Sequence, residues 1–228
     1  MAVSAAESGA PAVEAHELYR FFHDGDDETF ALRGVSISVR RDEMVAVVGP
    51  SGSGKSTLLA CLAGLDEPDG GWVAVAGHRI TRRSEAERAA LRGRHVGILM
   101  QSGNLLPHLS VAGNVAAAQL LAGNPGIPDS AAILGRVGLT ERASALPPTL
   151  SGGEASRAAL AVALSTDPAL ILADEPTGEV DADNEHALLE LLRERARDGA
   201  GVMVVTHSER VAAAADRVIR LVDGRVIE

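Results

Sequence analysis

Apolar and polar residues follow three successive rhythms along this chain. In the front part the runs are short and strand-like. Residues 16–22 read as a strand and Asp24–Glu28 as an acidic turn. Val35-Ser36-Ile37-Ser38-Val39 alternates strictly, the mark of a half-buried strand. Met44–Val48 is a continuous apolar run, expected as a buried strand. It passes through a glycine-rich turn into Leu58-Leu59-Ala60-Cys61-Leu62, expected as a helix. Residues 66–71 form a turn, and Trp72–Ala76 is a strand ending at Gly77. The centre is helical. Ser84 to Arg92 carries a serine N-cap and glutamate in its first turn. After a short strand, His95–Met100, helices are expected over 111–121 and 130–137. The breaker run Gly123–Pro128 separates them, and Leu146-Pro147-Pro148-Thr149 closes the segment as a rigid connector. From Ser151 onward helices and strands alternate. Strands are expected at 169–173, 201–206 and 217–222, and helices at 155–164, 184–197 and 208–215. Such alternation implies parallel strands joined by crossovers. Residues 1–13, rich in Ala, Ser, Gly and Pro, are expected to be a disordered leader.

Composition narrows this picture without changing it. With 228 residues, 46% hydrophobic and 23% charged, the chain suits one large α/β domain or a domain with a subdomain. No apolar run approaches the roughly 18 residues of a membrane span, and no signal segment opens the chain, so a cytosolic protein is expected. The single cysteine, Cys61, excludes an internal disulfide. A net charge of −10 argues against nucleic acid as the main partner.

Candidate chemistry centres on Gly49-Pro50-Ser51-Gly52-Ser53-Gly54-Lys55-Ser56-Thr57. It fits the phosphate-binding pattern G-x-x-x-x-G-K-[ST] and has the required strand before and helix after. The glycines let backbone N–H groups turn inward around a phosphate chain, and the helix start adds unpaired donors. Lys55 can reach β- and γ-phosphates, and the Ser56 hydroxyl can ligate Mg²⁺. Lys55 is the only lysine in the chain, and a compact ammonium fits a narrow cradle that a planar guanidinium does not. A second constellation is the apolar strand ending in Asp174-Glu175. In a phosphate-loop nucleotidase the first carboxylate holds Mg²⁺ and the second can act as general base on the attacking water. A third is Leu150-Ser151-Gly152-Gly153-Glu154, where Ser151 can cap a second helix N-terminus suited to an anion. Two such termini in one chain suggest that a second copy takes part.

With these motifs in hand, the chain resembles the ATP-binding subunit of an ABC transporter from about residue 14 to its end. Gly49–Thr57 matches the Walker A motif, Gln101 the Q-loop, Leu150–Glu154 the signature, and Leu170–Asp174 Walker B followed by Glu175. Gly178-Glu179-Val180-Asp181 stands at the D-loop position and His207 at the switch-histidine position. The fold implied is α/β: a phosphate-loop NTPase with a RecA-like parallel-sheet core over 14–93 and 151–228, an antiparallel β subdomain, and the Q-loop with an inserted α-helical subdomain over 94–150. The resemblance implies two subunits sandwiching two ATPs, Walker A of each facing the signature and Asp181 of the other. It implies Glu175 and His207 as catalytic residues, Mg²⁺ on Ser56, Gln101 and Asp174, and an aromatic side chain stacked on adenine. Tyr19, Phe21 and Phe22 are candidates for that aromatic, and spacing to Lys55 selects Phe22. The work would drive a separate membrane permease, with the subunit peripheral on the inner face of the plasma membrane. The run from Gln101 and the segment Ala173-Asp174-Glu175-Pro176-Thr177-Gly178 are most similar to the lipoprotein-releasing, macrolide-exporting and antimicrobial-peptide-resistance branch.

The sequence also departs from the family pattern. Glu154 replaces a usual glutamine and is followed by Ala155-Ser156-Arg157. Val162 stands where an arginine usually lies, and Glu179-Val180 replaces Asn-Leu in the D-loop. Two other classes remain open at this stage. One is a soluble ABC-type ATPase of DNA repair or the ribosome, disfavoured by a single motif set and the acidic balance. The other is a phosphate-loop GTPase or small-molecule kinase, disfavoured because no Asn-Lys-x-Asp segment exists. The chain stops at Glu228 soon after the last expected strand, so no solute-sensing domain is expected to follow.

Overall fold

The computed structural model describes residues 9–24, 27–102, 104–123, 129–177 and 182–227. Its strands are β1 (Val13–Asp24), β2 (Asp27–Val39), β3 (Met44–Val48), β4 (Gly70–Val75), β5 (His78–Arg79), β6 (Val96–Leu99), β7 (Leu170–Asp174), β8 (Gly201–Val205), β9 (Arg217–Val222) and β10 (Arg225–Ile227). Its α-helices are α1 (Lys55–Leu62), α2 (Glu85–His95), α3 (Val111–Ala122), α4 (Ser130–Arg136), α5 (Gly152–Leu164), α6 (Ala182–Arg197) and α7 (Glu209–Ala214).

Two sheets organise the molecule. One is antiparallel with order β2-β1-β4-β5; the other has order β10-β9-β3-β8-β7-β6. In the second, β9, β3, β8, β7 and β6 are parallel and β10 is an antiparallel edge. The phosphate-loop strand β3 lies between β8 and β9, and its first four residues are buried. Strands buried on both faces read as unbroken apolar runs, which is why Met44–Val48 and Leu170–Ala173 carry no alternation.

One hydrophobic core fills the space between the sheets around α1. There Leu58, Leu59 and Leu62 are at most 1% exposed, each worth roughly 1.5–3 kcal/mol of burial. The other face of the large sheet packs Leu160, Leu188, Leu192 and Val211 from α5, α6 and α7. A third cluster joins Val111, Val115, Ile133, Leu134 and Leu139 to Ala158 and Ala161 of α5. The helical centre is therefore attached through α5.

Several boundaries differ from the sequence reading. Ala12 and Val13, assigned to the leader, are fully buried. The Ala12 carbonyl accepts from Ala76 N, and Val13 pairs with both Val39 and Val75. Strand β2 begins at Asp27, inside the expected acidic turn, because its pairing with β1 reaches Phe22↔Thr29 and beyond. Ladder pairing carries polar residues that alternation alone cannot flag. The division at residue 94 falls before β6, which belongs to the large sheet through β7. Strands β5 and β10, of two and three residues, are too short to leave a periodic signal. Ser84 caps α2 with a full capping box to Glu87.

Candidate nucleotide site

The site is built on the carboxyl end of β3. The loop after β3 turns through Gly54, whose φ of 99° is the left-handed region open to glycine. A Cβ there would strike the carbonyl of Ala31. Gly54 is also the N-cap of α1 and makes no side-chain cap bond, so the first N–H groups of the helix stay available to an anion. The Lys55 ammonium donates to the carbonyls of Gly49 and Pro50, both at 2.9 Å, which folds it over the loop.

A cavity of about 520 Å³ opens above this loop. Gly49, Ser51, Gly52, Gly54, Lys55, Ser56 and Thr57 form its floor, and Phe22, Gln101, Asp174, Glu175 and His207 its walls. Five segments that are distant in sequence therefore converge on one space. Thr29 and Ala31 of β2 line it as well. The sequence reading missed both; the only available signal was their place beside the acidic turn. Pro50 and Ser53 belong to the loop but do not line the cavity. Ser53 is 2% exposed, and its carbonyl accepts from Gly224 N at 3.0 Å.

At the end of β7 the two carboxylates have different surroundings. Burial pushes the Asp174 carboxyl up from its usual range, and the Glu175 charge adds to this, while a hydrogen bond from Ser56 and the Lys55 charge pull the other way. Glu175 has φ 45°, an uncommon backbone for a non-glycine residue, and its N–H donates to the Val205 carbonyl at 2.9 Å. Its side chain is 16% exposed and meets the 77% exposed His207 ring, with Oε1 to Nδ1 at 2.7 Å. The His207 N–H also donates to Oε2 at 3.3 Å. Backbone strain held by surrounding structure clusters at functional sites.

Gln101 borders both this cavity and a neighbouring one of about 250 Å³, whose walls include Gly152, Ser156, Glu175 and Pro176. Its loop is closed by Asn104, which accepts from Met100 N at 2.7 Å and donates to the Met100 carbonyl at 2.6 Å.

The motif 150–154 forms the start of α5. Ser151 Oγ accepts from Glu154 N at 3.2 Å, and Glu154 Oε2 accepts from Ser151 N at 2.8 Å. The Ser151 N–H holds the Glu154 carboxyl below the usual range against a smaller desolvation effect, and Arg142 Nε lies 3.0 Å from Oε1. Glu154 therefore serves the cap of its own helix. Gly153 is buried against α6, where a Cβ would run into the Asn184 side chain, and Arg157 donates to Asn184 Oδ1 at 2.6 Å. Ser151, Gly153 and Glu154 do not line the 520 Å³ cavity of their own chain. Asp181 and the rest of the D-loop lie outside the described residues.

The oxygen donors Ser56 and Asp174, which line the same cavity beside the phosphate loop, fit a hard divalent cation such as Mg²⁺.

A phosphate loop at the carboxyl end of a parallel sheet, with a strand-end carboxylate pair across from it, defines the class of phosphate-loop nucleoside triphosphatases. Residues 32–178 match the family model for ABC transporters, and the chain belongs to that family as an ATP-binding cassette. It is 42% identical over 220 residues to the ABC transporter ATP-binding protein YbbA of Escherichia coli, covering 95% of this chain and 96% of the relative. It is 40% identical over 220 residues to the macrolide export ATP-binding/permease protein MacB of Hyphomonas neptunium, covering 95% of this chain. It spans 34% of that relative's length. Among solved structures, the dimeric bacterial ABC transporter cassette MJ0796 superposes with TM-score 0.87 at 31% identity, over 95% of this chain and 97% of the other. The same cassette is known in a post-hydrolysis state bound to ADP and Pi, at the same TM-score and identity. These relatives are transporter cassettes, which favours the transporter reading over a soluble repair or ribosomal ATPase. Among the described residues no helix is long and apolar enough to cross a membrane.

Proposed function

We propose that this chain is the ATP-hydrolysing motor subunit of an ABC transporter complex, dimeric when ATP is bound and docked on a separate permease at the inner face of the membrane. The observation that carries the reading is the convergence of Lys55, Ser56, Asp174, Glu175 and His207 on one cavity that Ser151, Gly153 and Glu154 of the α5 start do not line. A site with the phosphate loop on one copy and the α5 N-terminus on another would use both anion-suited helix starts. The similarity to a dimeric cassette supports the same arrangement.

In this mechanism the loop N–H groups and Lys55 hold the phosphates, and Phe22 stacks on the base. Ser56, Asp174 and Gln101 hold Mg²⁺, which offsets charge on the phosphates when bound. Glu175 accepts the proton of the attacking water. His207, already bonded to Glu175, fixes that carboxylate and contacts the γ-phosphate. Each action uses groups that line the cavity. The second cavity lies between Gln101 and the start of α5, so the Gln101 loop borders both the nucleotide cavity and the helix that carries the helical cluster. The work proposed is export of a lipoprotein, peptide or drug-like substrate, or mechanical transmission, and the likeness to a macrolide export protein supports the drug-like case.

The test is phosphate release with Mg-ATP for the wild type and Glu175→Gln, together with purification of Glu175→Gln from detergent-solubilised membranes. Loss of a general base is expected to slow hydrolysis by about 10²–10⁴-fold. The variant should elute as an ATP-bound dimer and bring down a permease polypeptide. Unchanged turnover would remove Glu175 from the base role, and recovery of only ribosomes or repair factors would overturn the transporter reading.

A further inference from the structure

We infer that Arg20, locked in place by Asp66 and Asp69, is a positioning residue that fixes the Phe22 ring as the nucleobase wall of the cavity and so sets affinity for the base; this rests on the nucleotide-binding reading above. Arg20 and Phe22 are two residues apart on β1, across an irregularity in its pairing with β2, and their side chains meet on one side of the strand. The Arg20 guanidinium carbon lies over the Phe22 ring, 4.6 Å from its centroid. Phe22 lines the cavity and Arg20 does not, so the cation braces the ring from outside the ligand space.

The brace is itself fixed. Arg20 Nε and Nη2 donate to the two oxygens of Asp66 at 2.8 and 2.9 Å, and Nη1 donates to Asp69 Oδ2 at 3.0 Å. The same Asp69 oxygen accepts from Phe21 N at 3.0 Å, and Asp69 N donates to the Tyr19 carbonyl at 2.9 Å. The backbone on both sides of Arg20 is thereby tied to the turn that closes α1. Since α1 begins at Lys55, one helix connects the phosphate loop to the support of the base wall. A planar guanidinium held in a fork is suited to stacking on a ring, where an ammonium would not be. One arginine against two aspartates leaves this cluster negative, so it is no phosphate subsite.

A brace for the base wall and a clamp that only ties β1 to the α1 turn separate on ligands that differ only in the base. Calorimetric binding of Mg-ATP and of Mg-tripolyphosphate would be measured on the full chain as wild type, Arg20→Gln, Asp66→Asn, Phe22→Ala and the Phe22→Ala/Arg20→Gln double variant. Arg20→Gln and Asp66→Asn should weaken ATP about three- to tenfold, the size of a lost cation–π brace and a loosened stack. Both should keep tripolyphosphate within about twofold of wild type, because the phosphate loop is untouched. The double variant should bind ATP no more weakly than Phe22→Ala alone, since both substitutions act through one ring. Equal losses on both ligands, no loss on ATP, or additive losses in the double variant would each overturn the inference. Should Arg20→Gln fail to fold, Arg20→Lys makes the same comparison, keeping the charge and losing the plane. Wild-type protein that binds neither ligand would instead sink the nucleotide reading itself. Binding of tripolyphosphate without any gain from the adenosine would remove this inference alone.

Discussion

Replacing Arg217 by methionine should leave a buried carboxylate without its main partner, at the end of β3 away from the phosphate loop. Glu43 is 3% exposed. Its Oε1 accepts from Arg217 Nε at 2.8 Å, and its Oε2 accepts from Arg40 N at 2.8 Å. Arg217 also donates to the Ser38 carbonyl, so one guanidinium pins the starts of β3 and β9 to the end of β2. Burial pushes the Glu43 carboxyl up, but the hydrogen bonds from Arg217 and the Arg40 N–H, with the charges of both arginines, bring it below its usual range. Breaking a buried pair costs about 3–5 kcal/mol. Here the Arg217 side chain is 44% exposed and the Arg40 N–H bond survives, so about 2–3 kcal/mol is expected. For a chain of this length that is a fall in Tm of about 5–10 °C. The sign with pH follows from linkage. In the wild type the lowered carboxyl contributes stability above its unfolded value of about 4.3, lost as pH falls through the lower folded value. In Arg217→Met only the Arg40 N–H bond and charge are left to oppose burial, so the folded value rises and the charged form loses most of its support. The deficit should be full at neutral pH and shrink as the solution is acidified towards the ordinary carboxylate range. Thermal unfolding by circular dichroism at several pH values reads this directly, and Glu43→Gln in the same variant should recover much of the loss. A deficit independent of pH, or no recovery with Glu43→Gln, would refute the reasoning.

Leu192→Ala removes a fully buried side chain of α6 from the core under the large sheet, and chemical denaturation should show a loss of about 2–5 kcal/mol. Ser84→Ala breaks the capping box of α2 and should cost about 1 kcal/mol, read as a fall in Tm of about 2–4 °C with ATP binding unchanged. Gly153→Ala forces a methyl group into Asn184, so size-exclusion chromatography with Mg-ATP should show a weakened dimer while monomer ATP affinity holds. Asn184→Ala should restore the dimer in that variant, and a dimer that persists in Gly153→Ala alone would show that α5 absorbs the change.

Much of the fold was legible along the chain, because the rules that form helices and buried strands act over a few residues. The apolar runs 44–48 and 170–173 announced central strands, Ser84 and Ser151 announced helix starts, and the spacing from Gly49 to Ser56 announced the phosphate loop. Short or polar pairing segments were not legible. Residues Asp27–Glu28, β5 and β10 are strands through their partners rather than their own pattern.

The site divides the same way. The local form of each motif could be read from residue type and spacing: a glycine loop between strand and helix, carboxylates at a strand end, a capped helix start. Which of them share a space was decided by strand order. The placement of β7 beside β8 brings Glu175 within 2.7 Å of His207, 32 residues later. Thr29 and Ala31 enter the cavity only because β2 pairs with β1 next to Phe22. The bracing of that ring by Arg20 depends on aspartates 46 and 49 residues away. Local sequence sets what a segment can form and bind. Long-range pairing, whose energy lies in contacts between segments, sets what each group meets.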